Sequence, residues 1–289
     1  MGKLFGTDGI RGIVGETLTA DMAYRVGQAV ATVLAEEKQG KPEITIGKDT
    51  RISSDMLESA LIAGICSVGG NVVPLGVIPT PAVAFLTVQR GADAGIVISA
   101  SHNPYEHNGI KVFNSRGYKL PDETEARVEE LILSDSKMPE KTGAEIGTMI
   151  RGMKEARTQY IAHLLSTIDD DLAGLRICVD CANGAASATA PELFSHFSKA
   201  RVDIMHAVPN GVNINNHCGS THLESLGQTV VNDGYDIGVA YDGDADRCLM
   251  VDEKGQIIDG DKIMAVCAMD MRSKGKLSGN AIVATVMSN

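Results

Sequence analysis

Apolar residues along this chain switch repeatedly between a helical and an extended period. Residues 19–37, TADMAYRVGQAVATVLAEE, place Met22, Val26, Val30 and Val33/Leu34 on one helical face behind a capping Thr19 or Asp21. ITIGKD (44–49) then reads as a strand running into a polar loop, and 53–70 as a capped helix closed by Gly69-Gly70. NVVPLG (71–76) is a second strand, PAVAFLTVQR (81–90) a short helix opened by Pro81, and AGIVISA (94–100) a third strand. Strand and helix in alternation predict parallel pairing in a layered α/β domain.

The pattern then restarts. A polar stretch near 135–148 marks a boundary, and 153–168 carries helical spacing. Residues 175–184, 186–197, 201–208, 223–233 and 235–247 follow as strand, helix, strand, helix, strand. Past Val251 a further unit opens, with DGDKIMAVCAMDMRSKG (259–275) as helix and NAIVATVM (280–287) as strand. The organisation expected is α/β domain I over 1–145, α/β domain II over 146–252, and the start of an incomplete third domain over 253–289. No residue-by-residue repeat relates the first two. The third piece is too short for a core of its own and is expected to pack on domain II, pair its strand with another chain, or fray.

Composition adds constraints. The chain has 289 residues, 44% hydrophobic and 22% charged, a globular balance. No apolar run approaches the roughly 20 residues needed to span a bilayer, and MGKLFGTDGIRG lacks a signal-peptide core, so a cytoplasmic protein is expected. Six cysteines are scattered through apolar or glycine-rich contexts and read as reduced, mostly buried thiols. Cys178 and Cys181, spaced C-x-x-C in a strand-like run, fall on opposite faces. A net charge of −11 argues against nucleic-acid binding, and any phosphate site must be locally basic.

Two loops carry candidate chemistry. VISASHNPYEHNGIKVF (97–113) sets Ser101 and His102 side by side at the end of a strand, in a loop whose composition is also that of ordinary turns. YDGDADR (241–247) places Asp242, Asp244 and Asp246 two residues apart after another strand. Carboxylates converging from this spacing would repel unless a cation neutralised them, and all-oxygen ligation suits Mg²⁺ first and Ca²⁺ second. A calcium-loop reading has Glu253 at position 12 but Arg247 at position 6, where a turning glycine is needed, and its flanks are strands. A solvated acidic turn remains an alternative.

Both loops lie at carboxyl ends of strands, where α/β folds build sites. A serine beside a carboxylate-held Mg²⁺ suggests phosphoryl chemistry, with cations available at Arg11, Lys48, Arg51, Lys111 and Arg247.

GTDGIRG, SASHNP, NGIKVF, DCANGA and DGDADR, in this order and spacing, resemble the α-D-phosphohexomutase superfamily, and within it the phosphoglucosamine mutase branch. The resemblance implies interconversion of glucosamine 6-phosphate and glucosamine 1-phosphate through a 1,6-bisphosphate that serves as intermediate and activator, on the route to UDP-N-acetylglucosamine. It implies Ser101 as phosphoryl carrier, one Mg²⁺ held by Ser101, Asp242, Asp244 and Asp246, and Lys111 as proton-transfer residue. Arg11 and His102 would join the catalytic groups, and Arg247, Lys48 and Arg51 would bind the phosphosugar. Ala245 stands where the family commonly has glycine, and Lys48 where it has arginine.

The superfamily has four domains, of which this chain resembles two and the opening of a third. The sugar loop and the distal phosphate loop are therefore missing, and the chain alone is expected to show no turnover. A mannose or glucose phosphate mutase, a metal-dependent phosphohydrolase and an inactive binding module remain as alternative readings; oligomeric state is not legible.

Overall fold

The computed structural model describes residues 4–6, 9–38, 40–134, 137–150 and 153–288. Thr7 and Asp8 of GTDGIRG, and Asp135 and Ser136 at the expected boundary, lie outside the described residues. The elements in chain order are β1 (Ile10–Ile13), α1 (Ala20–Lys38), β2 (Glu43–Lys48), α2 (Ser54–Ser67), β3 (Asn71–Val77), α3 (Thr80–Arg90), β4 (Ala94–Ile98), β5 (His107–Asn114) and α4 (Asp122–Leu133). They continue with α5 (Met153–Leu165), β6 (Arg176–Asp180), α6 (Ala190–Ser195), β7 (Arg201–Met205), α7 (Glu224–Asp233), β8 (Ile237–Tyr241), β9 (Cys248–Asp252), β10 (Ile257–Ile258) and α8 (Gly260–Ser273).

Two five-stranded sheets result, ordered β1-β5-β4-β2-β3 and β10-β9-β8-β6-β7. Parallel pairing holds for β2 with β3 and β4, and for β6 with β7 and β8. The sheets are mixed: parallel pairing holds where strand and helix alternate, while β5 and β9 run antiparallel to β4 and β8, and β1 and β10 antiparallel to β5 and β9. The reason is loop length. Residues 99–106 and 242–247 are too few to carry a crossover helix, so each chain segment must turn straight back beside the strand it left.

Helices cover both faces of the first sheet. α1, α2 and α4 bury Val26, Val30, Leu57, Leu61 and Val128 against Ile44, Ile46 and Ile96, while α3 and α5 close the other face over Val73, Leu75 and Val97. α5 thus packs on the first sheet although it follows the polar boundary, and its other side meets α6. The second sheet has α7 on one face, over Cys178 and Val251, and α6 on the other, over Val179 and Ile237.

α8 forms where helical spacing placed it, with the Asp259 carboxylate accepting from Lys262 N. Ala268 is its one buried residue. The strand expected over 280–287 does not form; Val283 and Val286 are 95% and 100% exposed, with no described strand to pair with. No helix among the described residues is long and apolar enough to cross a membrane. All six cysteines are free; Cys178, Cys181 and Cys218 are buried and Cys267 is exposed.

Candidate active site

The two sheets share one topology: three parallel strands and an antiparallel fourth entered through a short loop. The serine loop joins β4 to β5 and the aspartate loop joins β8 to β9, so they occupy equivalent places in the two units and meet face to face. Ser101 Oγ donates to Asp242 Oδ2 at 2.6 Å, across 141 residues of sequence. Gly243 makes the approach possible, since a Cβ there would lie 2.5 Å from Ser101 O and 2.8 Å from Asn215 Nδ2.

Ser101 is buried and left-handed, with φ +55°. A network beneath the loop holds this conformation. Ser101 N donates to Ser99 Oγ at 2.9 Å, and Ser99 Oγ donates to Asp49 Oδ2 at 2.6 Å. Asp49 also accepts from Arg51 Nε at 2.9 Å, from Arg51 N and from Ser54 Oγ. Arg51 in turn donates to the carbonyls of Ser101, Asn103 and Pro104, and Asn215 Nδ2 reaches Ser101 O from the second unit at 2.9 Å. Arg51, expected to bind substrate, therefore lies fully buried under the loop and holds its backbone. Lys48 is ion-paired with Asp55 and Glu58 on α2.

Asp242, Asp244 and Asp246 each place a carboxylate oxygen within 4.8 Å of the others. Asp242 and Asp244 are fully buried. Burial, and then the Asp244 charge, push the Asp242 carboxyl up to about 6. Burial works the same way on Asp244, but the Lys111 ammonium beside it and the Thr80 hydroxyl outweigh burial and hold it below the usual carboxylate range. Lys111 Nζ lies 2.7 Å from Asp244 Oδ2 and 3.3 Å from Asp246 Oδ2; Thr80 Oγ1 donates to Asp244 Oδ2 at 2.7 Å. Burial alone would ease the proton off Lys111, but the two carboxylates reverse this, and its pKa is raised. As placed, Lys111 keeps its proton.

The cluster fits a hard cation. Asp244 Oδ1 is buried without a hydrogen-bond partner, and the Lys111 ammonium already supplies positive charge where three oxygens converge. On the rim, Ser101 Oγ lies 3.4 Å from His102 Nδ1, and burial together with the Arg247 and Arg11 charges lowers the His102 pKa, keeping the ring neutral near pH 7. Arg11, opposite Gly109 in the β1–β5 register, and Arg247 thus flank His102 with positive charge in a chain of net negative charge. A cleft of about 420 Å³ beside them is lined by His102, Tyr105, Asn215, His217 and His222.

Ala245, where a glycine would be unstrained, adopts φ +54°. The left-handed region costs a residue with a Cβ about 1–2 kcal/mol, and glycine gives back about 0.5–1 kcal/mol in backbone entropy. Ala245→Gly is expected to stabilise the chain by up to about 1 kcal/mol. Urea unfolding measures it, and a destabilised variant would refute the strain.

Sequence reasoning brought forward Ser101, His102, Lys111, Arg11, Arg247 and the three aspartates, which the fold gathers. It missed Asp49, Ser99, Thr80 and Asn215. Asp49 had a signal in its place at the end of a strand, directly before a Thr-Arg pair; Thr80 and Asn215 had none, because their partners lie 164 and 114 residues away.

The profile of phosphoglucomutase/phosphomannomutase α/β/α domain I matches residues 2–138, and that of domain II matches 158–255. The chain is 54% identical over 290 aligned residues to the phosphoglucosamine mutase of Desulforamulus reducens, with all of this chain and 65% of the relative covered. It therefore spans about 65% of the length of that relative. Among solved structures it is similar to a phosphoglucomutase/phosphomannomutase family protein of Burkholderia thailandensis, with TM-score 0.78 and 28% identity over 94% of this chain and 59% of that one. It also shares the fold of Aspergillus fumigatus N-acetylphosphoglucosamine mutase in complex with GlcNAc-6P and magnesium, with TM-score 0.54 and 18% identity over 95% and 56% of the two chains.

Proposed function

The chain belongs to the phosphoglucomutase/phosphomannomutase family, and from that membership we propose that it is the phosphoryl-carrying part of a phosphoglucosamine mutase, interconverting glucosamine 6-phosphate and glucosamine 1-phosphate. The observation that carries the reading is the 2.6 Å contact between Ser101 and Asp242, with two more carboxylates and Lys111 around it. A phosphoryl group on Ser101 adds about −1.5 to −2 charge against Asp242. Such a group is tolerable only beside a cation, so serine and aspartates form one unit.

The residues that would hold Mg²⁺ are Asp242, Asp244, Asp246 and an oxygen on phosphorylated Ser101. When bound, the ion neutralises charge on the transferring phosphoryl group. Ser101 Oγ gives the phosphoryl group to a sugar hydroxyl and later takes one back, passing through a sugar 1,6-bisphosphate. Lys111 stands beside the same carboxylates and gives its proton to the Ser101 oxygen as the Oγ–P bond breaks, and the Lys111 amine takes up the proton that the attacking sugar hydroxyl loses as its O–P bond forms. His102, neutral, lies against Ser101 Oγ, and Arg11 and Arg247 give the rim the positive charge a phosphosugar needs. Ser101 is only 1% exposed, so transfer requires the two loops to part.

Glucosamine 1,6-bisphosphate with Mg²⁺ is expected to phosphorylate the chain and release glucosamine monophosphate. Glucose or mannose bisphosphate as the faster donor would move the assignment to another branch, and inorganic phosphate released continuously would point to a hydrolase.

Asp244→Ala should weaken Mg²⁺ binding by about a hundredfold, read by calorimetry with circular dichroism unchanged. Wild-type affinity should also fall as pH drops through about 6, where Asp242 takes up a proton. The sign for stability is opposite. Protonated Asp242 favours the metal-free fold, a contribution complete below the ordinary value of 3.8 and lost as pH rises through about 6. Affinity flat from pH 7.5 to 5 would contradict the assignment of Asp242.

A further inference from the structure

The second sheet holds another convergence of metal-binding side chains, outside the serine and aspartate loops. Asp180 ends β6, His206 follows β7 beside it, and Cys218 lies in the loop before α7. One ligand atom from each lies within 4.8 Å of the other two. Asp180 and Cys218 are fully buried.

We propose that Asp180, His206 and Cys218 form a second metal site, for Zn²⁺ or a cation of similar softness. A carboxylate, an imidazole and a thiolate are a zinc donor set, and three protein ligands leave one position for water. Bonds of about 2.0–2.3 Å put tetrahedral ligands about 3.3–3.8 Å apart, inside the 4.8 Å limit within which the three ligand atoms lie, and the 3.0 Å between His206 Nδ1 and Asp180 Oδ2 would open by a few tenths of an ångström on binding.

His206 Nδ1 provides the independent reason. It is buried without a hydrogen-bond partner, yet it lies 3.0 Å from Asp180 Oδ2. The pair is an ion pair when the ring is protonated, and the His206 side chain is 29% exposed; with the ring neutral and no proton aligned between them, nitrogen and carboxylate oxygen can both turn to a cation. The carboxylate is already oriented, since Oδ1 accepts from Ala182 N at 2.8 Å and Oδ2 from Gly219 N at 2.9 Å, and Oδ2 keeps a lone pair for a metal. Cys218 Sγ has only a long 3.9 Å contact from Asn183 Nδ2. Binding converts its thiol to thiolate, and one proton leaves to solvent.

The site would act on the serine loop from a distance. His206 and Cys218 bracket the segment 207–217, and Asn215 within it donates to the carbonyls of Ser101 and Asn103. Zinc would pin both ends of that segment, making these three residues positioning groups for Ser101. Mg²⁺ would not compete, because it prefers oxygen ligands.

The test counts metal, so its failure is separate from failure of the mutase reading. The 289-residue chain is stripped with chelator, given Zn²⁺ in excess Mg²⁺, desalted, and analysed by plasma mass spectrometry. One zinc per chain is expected in wild type and in the Asp242→Ala/Asp244→Ala variant. Cys218→Ser and His206→Asn should each lose affinity by at least about a hundredfold, since removing a direct ligand exceeds the effect of a supporting residue. Wild type without zinc, zinc kept by both ligand variants, or zinc lost with the aspartates would each overturn the site. Cobalt in wild type gives a readout that does not depend on how variants fold: thiolate-to-cobalt charge-transfer absorption is expected, and its absence overturns the proposal.

Discussion

Ser101→Ala yields a chain that accepts no phosphoryl group from a hexose 1,6-bisphosphate, with a loss of about a thousandfold or more, as expected when a nucleophile is removed. Other hydroxyls are near but differently engaged. Ser99 Oγ donates to Asp49, and Thr80 Oγ1 donates to Asp244. Only Ser101 Oγ, among the described hydroxyls, donates to Asp242. The variant should fold, because alanine meets the same left-handed cost at φ +55° that serine already bears. Peptide mapping after incubation should place phosphate on Ser101 in wild type and nowhere in the variant, while Thr80→Ala still accepts it. Phosphate mapped to Ser99 or Thr80 would refute Ser101 as the carrier.

Asp49→Ala destabilises the chain by about 3–5 kcal/mol, because it leaves the Arg51 guanidinium buried without its counter-charge. Both side chains are fully enclosed, and Asp49 accepts four hydrogen bonds from the loops that frame Ser101. Arg51 would still be tied to the Ser101, Asn103 and Pro104 carbonyls, so it could not leave for water without unmaking the loop. Urea unfolding measures the loss. The Asp49→Ala/Arg51→Met double variant separates burial of a lone charge from loss of packing and should recover part of it. A single-variant loss below about 1 kcal/mol would mean that the pair is not what holds the loop.

How much of this was legible beforehand depends on how local each signal was. α1, α2, α3 and α8 were readable to within a few residues, because helical periodicity and end signals lie within the segment itself. Ser101 and the three aspartates were readable for the same reason: their side-chain types and two-residue spacing suggest chemistry without knowledge of a partner. The antiparallel β5 and β9 follow from the short loops before them, which rule out a crossover, but their pairing was not read from the sequence. The segment 280–287 had strand composition, but a strand exists only through pairing, and none of the described strands adjoins it.

Distance in sequence set the remaining limit. No window of the chain relates residue 101 to 242, or 215 to 103; these contacts arise because two sheets of one topology bring equivalent loops together. The same holds for charge. The resemblance assigned Arg51 and Lys48 to the phosphosugar, but in the fold Asp49 encloses Arg51 and Asp55 and Glu58 hold Lys48, while the Arg11 and Arg247 charges act on His102. Residue types and local spacing suggested phosphoryl chemistry, and the resemblance carried by the five motifs named it. Assigning each group its place required the packing of the two units: the carboxylates that hold Arg51 and Lys48 are two to ten residues away, but which of them reach each cation is set by burial, and the partners of Ser101 and Lys111 lie more than a hundred residues away.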